Sequence, residues 1–155
     1  MKKVYLLVLI FLICLEGFGC KNKEEIYWEK LSASADVEVA KTAADRKIGL
    51  MYREYLPQNS GMYFIFEKTK VVHFYMKNTK MPLSIAFIDE DGIIISIRDM
   101  KPFDTLPISS VVPVKFALEM NQGWFENNGI RVGDKTILNG NKILFYRKVA
   151  KKQVI

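Results

Sequence analysis

Hydrophobic and polar residues divide the chain into one unbroken apolar run and a longer stretch in which the two kinds alternate. The apolar run covers residues 4–15 and directly follows two lysines. At about 1.5 Å per residue, a helix of this length falls well short of the roughly 30 Å hydrocarbon core of a bilayer. A basic start, a short apolar run and small residues after it predict a secretory signal peptide at residues 1–19.

Alternation with a period of two predicts β-strands through most of the remaining chain. The predicted strands cover residues 36–41, 61–67, 71–77, 84–89, 93–98, 115–120, 135–138 and 142–148. The segment at 93–98 is apolar on both faces, which predicts a central strand covered on both sides. Turn residues at 89–92 and at 139–141 predict two hairpins.

Apolar residues at helical spacing follow the first predicted strand. Thr42 and Asp45 form a capping-box pattern, and Leu56 before Pro57 ends the predicted helix. The predicted buried stripe of this helix consists of Ala44, Ile48, Met51 and Tyr55. A short helical turn at 122–128 is stopped by Gly129, near the C-terminal third. These elements predict a mainly β fold: a compact single-domain sandwich or barrel with one short helix after the first strand.

The length of the chain and the positions of its cysteines predict where the protein is located in the cell. The 155 residues fit one small domain plus a targeting segment, which excludes a TIM barrel or a two-domain kinase. Cys20 directly follows Gly19 in a segment similar to a bacterial lipobox, whose cysteine is lipidated and becomes the mature N-terminus. Bulky Ile13 makes Cys14 a poor alternative. Lipidation of Cys20 is predicted, and cleavage that leaves Cys20 as an unmodified first residue stays open.

We therefore expect a protein that is exported and lipid-anchored to the bacterial cell envelope, with the membrane as partner through Cys20. The expected parts are a signal peptide (1–19), a lipidated tether and lead-in (20–35), the β domain (36–149) and a basic tail (150–155). Because both cysteines lie in the first 20 residues, the domain has no disulfide, thiol nucleophile or thiolate metal site. No metal and no cofactor are predicted.

The formal net charge of +6 narrows the choice of partners. Basic chains often bind nucleic acid, but export argues against that class here. If the charge binds a partner, an anionic membrane surface or an anionic small ligand is expected, and a charge that serves only solubility stays open. The oligomeric state is left open.

The residues that could bind a ligand are mainly basic, together with an amide, a hydroxyl and a phenol side chain. Arg46 and Arg53 share one face of the predicted helix, and Lys77 ends the predicted strand at 71–77. If these groups converge, they supply donors for a carboxylate, a phosphate or a sulfated sugar. The predicted ligand-binding set is Arg46, Arg53, Tyr75, Lys77, Asn78 and Thr79. Cations at this density repel one another, so they need an anion or an internal acid, for which Asp45, Glu54 and Glu119 are candidates.

No catalytic residue is predicted, and an enzymatic role is not favoured. A single histidine, a domain without cysteine and the lack of an ordered acid pair argue against catalysis. Two alternatives to ligand binding stay open. One is an envelope-associated hydrolase with His73 or Lys77 as its base, and the other is a purely structural lipoprotein.

Five segments in a fixed order carry a family resemblance. They are 42–53 (TAADRKIGLMYR), 61–66 (GMYFIF), 74–79 (FYMKNT), 83–87 (LSIAF) and 129–134 (GIRVGD). On these motifs the chain resembles the DUF192 family, also called UPF0127, from about residue 35 to residue 138. The resemblance implies a compact, mainly β sandwich or barrel with a short helix after the first strand. It also implies frequent export, and it implies no activity.

Three positions depart from the residues that are usual in that family. Asp45 stands where Glu is usual, Tyr75 where Trp is usual and Ser84 where Asp is usual. The first change keeps the negative charge. The last removes a carboxylate, which argues against an acid–base role at position 84.

Overall fold

The structure, a computed structural model, describes residues 24–152. The predicted signal peptide and Cys20 lie outside the described residues. Within 24–152, the helices are too short to cross a bilayer. This part of the chain contains nine strands and two short helices. In chain order they are β1 (Glu24–Ala40), α1 (Ala43–Ile48), β2 (Ser60–Lys70), β3 (His73–Phe74), β4 (Leu83–Ile88), β5 (Ile94–Met100), β6 (Ile108–Ser109), β7 (Val114–Asn121), α2 (Trp124–Asn127), β8 (Lys135–Asn139) and β9 (Lys142–Lys152).

Seven strands form one sheet in the order β5-β4-β7-β2-β1-β9-β8, while β3 and β6 form a separate pair. β1 and β2 run parallel, and the other paired strands run antiparallel. The large sheet curls until its two outer strands meet, where Thr136 N donates to Gly92 O at 2.7 Å. A Cβ on Gly92 would lie 2.6 Å from the backbone oxygen of Thr136, so this close approach requires glycine. The predicted mainly β fold is confirmed.

Two hydrophobic cores lie on opposite faces of the sheet. Alternate residues of β2 serve both, since Phe64 and Phe66 point into the first core and Tyr63 into the second. The first core is covered by Phe74 and Ile108 from the β3–β6 pair. The second contains Trp124 and Phe125 of α2, together with Phe145 of β9. The central strands are therefore buried on both faces, although the sheet is almost wholly antiparallel.

The prediction that residues 93–98 form the central covered strand is wrong. β5 stands at one end of the strand order, and five of its seven residues are at least partly exposed. β4 is buried along its whole length instead, because β5 and β7 flank it and a core lies on each face. An apolar run on a strand that closes a curled sheet has the same sequence pattern as a central strand.

The first helix begins as predicted and ends early. The capping box at its start is confirmed, with Asp45 N donating to Thr42 Oγ1 at 3.1 Å and Thr42 N donating to the Asp45 carboxylate at 3.1 Å. Gly49 then adopts a left-handed φ of +53°, and α1 stops at Ile48 instead of continuing to residue 56.

This early stop overturns the predicted buried stripe. Ile48 and Tyr55 are 58% and 73% exposed, whereas Leu50, which is not part of that stripe, is 2% exposed. Residues 49–52 form turns and residues 53–56 have no regular structure, so helical spacing does not predict which side chains are buried there. Arg46 and Arg53 consequently do not share a helix face.

Several boundaries also differ from the predictions. β1 begins at Glu24, so the expected lead-in is part of the sheet from that residue onward. β9 continues to Lys152 and takes in the start of the expected basic tail. The predicted strand at 71–77 is reduced to His73–Phe74, and the chain turns at Asn78, where φ is +56°. The two predicted hairpins, β4–β5 and β8–β9, are confirmed.

Candidate functional site

A cavity of about 550 Å³ lies between α1, β2 and the segment around β3. We call it the α1 cavity; it is bounded by α1, the turn at 49–51, and residues 70–75. Phe64, Phe66, Thr79, Leu83 and Glu119 complete its lining. Pockets of a few hundred Å³ that are mostly apolar and carry a few polar groups are typical sites for small ligands.

Aromatic rings form one wall of the α1 cavity. Phe74 packs edge-on against Phe64 with ring centroids 5.0 Å apart, and against Phe66 at 6.4 Å. Phe87 supports Phe74 from the core at 5.9 Å. This wall is held in place from behind, so it presents a preformed apolar surface.

Basic side chains line the part of the cavity near α1. Arg46 is fixed there, because its Nη1 donates to the carbonyl oxygens of Lys41 and of Ile65, the latter at 2.9 Å. Lys70 places its Nζ 5.6 Å from the Phe66 ring centroid. Lys47 and His73 are exposed residues of the same lining. The cavity therefore has a cationic side next to its aromatic wall.

A carboxyl group is buried in the lining. Glu119 sits on β7 between Met62 of β2 and Ile85 of β4, and it is 5% exposed. Among the side chains of residues 25–150, no ion pair to its carboxylate is found. Burial raises the pKa of Glu119 to about 8. At neutral pH this side chain is mostly protonated, so it can both donate and accept a hydrogen bond without adding charge.

The structure brings together half of the ligand-binding residues predicted from the sequence. Arg46, Tyr75 and Thr79 line the α1 cavity. The Asn78 side chain turns away and donates to Tyr52 Oη at 2.7 Å. Lys77 is exposed and does not belong to the cavity lining.

Arg53 lies outside the cavity in an ion pair. Its Nη2 donates to Glu38 Oε2 at 2.7 Å, and this contact holds the pKa of Glu38 below its ordinary value. The acids proposed as internal partners have other roles: Glu54 pairs with Lys80, and Glu119 lines the cavity. The arginines and the segment at 77–79 therefore do not form one shared site.

Sequence reasoning missed Glu119 as a cavity residue. A signal was present, since the segment 115–120 (KFALEM) places one glutamate between apolar residues of a strand. When a strand is covered on both faces, a lone carboxylate in it has to be buried. The aromatic wall was also missed, because residues 64, 66 and 74 come together only when β3 folds over β2.

Two of the sequence motifs have structural roles away from the cavity. Gly61 packs so tightly that an added Cβ would lie 2.4 Å from the backbone oxygen of Glu119 on β7. In the motif at 129–134, Asp134 is 2% exposed and accepts hydrogen bonds from Arg147 Nε at 2.8 Å and Nη2 at 2.6 Å. Arg147 also donates to Gly129 O at 2.6 Å, which ties this loop to β9.

Comparisons with known proteins agree with this architecture. The chain is similar to a Sinorhizobium meliloti 1021 protein that is provisionally described as a transcription regulator. The two share 33% sequence identity and superpose with a TM-score of 0.65, and the match covers 76% of this chain and 95% of that one. It is also similar to a Novosphingobium aromaticivorans DSM 12444 protein of unknown function, with 31% identity, a TM-score of 0.65, and coverage of 70% and 81%. Among curated proteins, none matches the sequence. A sequence model of DUF192, described as "Uncharacterized ACR", matches residues 27–138, well over half of the chain. The chain therefore belongs to the DUF192 family.

Proposed function

We propose that this protein is exported, is anchored to the bacterial cell envelope by a lipid on Cys20, and binds a small amphipathic anion in the α1 cavity. The observation that carries the binding proposal is the pairing of a fixed aromatic wall with a cationic side in one cavity. Export and anchoring are supported by the apolar run at 4–15 and by the glycine before Cys20. Nucleic-acid binding is not proposed, because the same segment directs the chain out of the cytoplasm.

The ligand chemistry follows from the two sides of the cavity. An apolar body of the ligand would lie against Phe64, Phe66 and Phe74, where each buried CH₂ contributes about 0.8 kcal/mol. An anionic head group would face the ammonium groups of Lys47 and Lys70. Arg46 already donates to two backbone carbonyls and lies 3.7 Å from a Glu67 carboxylate oxygen, so Lys47 and Lys70 supply the charge that would face the anion. Protonated Glu119 would not repel the anion.

The hydrolase alternative has one supporting observation. His73 lines the same cavity as Glu119, so a second titratable group is close to any ligand bound there. Lys77, the other base considered, does not line the cavity. We place binding first because the aromatic and cationic groups support it without any reaction step.

Calorimetric titration with decanoate tests the cavity proposal, with decan-1-ol as the uncharged ligand of equal chain length. We expect the protein to prefer decanoate. The double variant Lys47→Gln and Lys70→Gln should weaken decanoate binding about fivefold and leave decan-1-ol binding unchanged, since two exposed charges contribute about 1 kcal/mol together.

The matched control is Lys68→Gln, which removes an exposed lysine of β2 that does not line the cavity. It should bind decanoate like the wild type. No decanoate binding by the wild type, or equal binding by the double variant, would overturn the proposal.

Metabolic labelling with an alkyne analogue of palmitate in a bacterial host tests the anchor. We expect label on the wild type and on Cys14→Ser, and no label on Cys20→Ser, because Cys14 lies inside the predicted signal peptide. An unlabelled wild type, or a labelled Cys20→Ser protein, contradicts lipidation at Cys20.

A further inference from the structure

The start of β1 and the end of β9 form a two-stranded ribbon that extends beyond the rest of the sheet. Residues 24–29 pair with residues 147–152, whereas β2 pairs with β1 only from Asp36 and β8 pairs with β9 only up to Tyr146. Six residue pairs correspond to a length of about 20 Å. The ribbon has no further strand beside it within the described part of the chain.

One face of this ribbon combines exposed apolar side chains with lysines. Directly paired residues of antiparallel strands share a face, so Ile26 lies with Ala150 and Trp28 lies with Lys148. Lys30 pairs with Tyr146, which in turn pairs with Lys135 of β8. We call this surface the ribbon face; it consists of Ile26, Trp28, Lys30, Lys135, Tyr146 and Lys148.

The large apolar groups of the ribbon face are open to solvent. Ile26 is 48% exposed and Trp28 is 39% exposed. Lys135 places its Nζ 5.6 Å from the Trp28 ring centroid. Among residues 25–30 and 146–150, the acids Glu25 and Glu29 lie on the opposite face. The ribbon face is therefore cationic and aromatic.

This chemistry matches the surface of an anionic bilayer. Tryptophan favours the boundary between head groups and acyl chains, and lysines close to the surface are attracted to anionic lipids. A second copy of the chain is a poorer occupant, because face-to-face contact would bring two sets of three lysines together. Charge complementarity thus favours the membrane over self-association.

The position of Cys20 in the sequence supports the same partner. Three residues separate Cys20 from Glu24, where β1 begins. Four fully extended steps reach about 14 Å, so a lipid on Cys20 would hold the start of the ribbon next to the bilayer. The α1 cavity lies beyond the other end of β1, since α1 follows Ala40 after two residues.

We propose that the ribbon face lies on an anionic phospholipid surface beside the lipid anchor. This inference rests on the anchoring half of the proposed function and is independent of the α1 cavity. Ile26 and Trp28 insert among the head groups, and the three lysines neutralise lipid phosphates. The domain is then held at the membrane by two contacts, the lipid and the ribbon.

Quenching of tryptophan fluorescence by brominated lipids tests this arrangement. The chain has two tryptophans, and Trp124 is buried at 4% exposure, so it serves as an internal reference. Protein purified from bacterial membranes is reconstituted in brominated vesicles of phosphatidylcholine, with or without phosphatidylglycerol. We expect strong quenching of Trp28 in the anionic vesicles, weak quenching in pure phosphatidylcholine, and a fall in quenching as salt rises. Trp28→Phe should abolish the quenched component.

The triple variant Lys30→Gln, Lys135→Gln and Lys148→Gln should weaken the contact of the ribbon face with anionic vesicles by about a hundredfold. Its matched control is Lys41→Gln, Lys68→Gln and Lys101→Gln, which removes three exposed lysines elsewhere and should behave like the wild type.

Flotation of the protein with the vesicles reports the lipid anchor separately. A protein that floats while Trp28 stays unquenched overturns the ribbon proposal and leaves the anchor intact. Two results together support both the anchor and the ribbon proposal. Trp28 is quenched only in vesicles that contain anionic lipid, and the protein floats with the vesicles only when Cys20 carries its lipid. Burial of Trp28 that depends on protein concentration, without vesicles, identifies a second copy as the occupant and also overturns the proposal.

Discussion

Replacing Glu119 by glutamine should abolish most of the stability loss that the wild-type protein undergoes between about pH 5 and pH 8. The unfolded chain releases this proton near the ordinary value of 4.5, whereas burial raises the folded-state pKa to about 8. Between these values the folded protein binds more protons than the unfolded chain, so its stability falls as the pH rises. The stabilising effect of the proton is complete below pH 4.5 and is lost above about pH 8. Since each pKa unit corresponds to about 1.4 kcal/mol, the expected loss is on the order of 5 kcal/mol.

Urea unfolding at pH 5, 7 and 9 measures this effect as the difference between the wild type and Glu119→Gln. The difference isolates Glu119 from other groups that titrate over the same range. Glu126→Gln is the matched control, because Glu126 is an exposed residue of α2 and should leave the pH profile unchanged. Parallel pH profiles of the wild type and Glu119→Gln would show that the carboxyl titrates normally in the folded protein.

Arg147→Ala should destabilise the protein by about 2–3 kcal/mol, because the buried Asp134 loses its cation while the Arg147 side chain itself is 24% exposed. Asp134 is 2% exposed and receives two hydrogen bonds from Arg147. Without Arg147, the Asp134 carboxylate keeps the backbone N–H of Arg131 at 2.9 Å and loses its cation. The loop at 129–134 also loses its tie to β9 through Gly129.

Urea unfolding at pH 7 measures this loss, and two variants sharpen the comparison. Arg131→Ala removes an exposed side chain of the same loop and should cost less than about 0.5 kcal/mol, because only the backbone of Arg131 contacts Asp134. The double variant Asp134→Leu and Arg147→Met should recover much of the lost stability, since an apolar pair can replace a buried ion pair. A cost below about 1 kcal/mol for Arg147→Ala would mean that the ion pair is not needed for the fold.

Local patterns predicted the elements whose cause is local. The capping box of Thr42 and Asp45 depends on residues three positions apart, and the structure forms it. The two hairpins depend on turn residues between alternating strands, and both are present. The helix extended past Gly49 in the prediction because apolar residues continued at helical spacing. The helix ends at Gly49, whose φ of +53° and ψ of −133° are not helical.

The residues of the candidate site were predicted less well than the local elements. Arg46 was selected as part of a cationic face, and it does line the α1 cavity. Arg53 was selected for the same reason and pairs with Glu38, a residue of β1 that no spacing rule connects to it. Glu119 belongs to a strand that pairs with both β2 and β4, and that pairing turns an ordinary glutamate into a buried acid with a raised pKa.

By itself the sequence determined the mainly β class, the hairpins, the helix start and the family motifs, because each arises from neighbouring residues or from a short ordered pattern. Only the tertiary structure decided which strand is central, where the sheet closes and which polar groups share a cavity. The wall of Phe64, Phe66 and Phe74, the burial of Glu119 and the Arg147–Asp134 pair all join residues from different strands. Contacts of this kind depend on strand order and sheet curvature, which arise from packing two cores at once and leave no periodic trace along the chain.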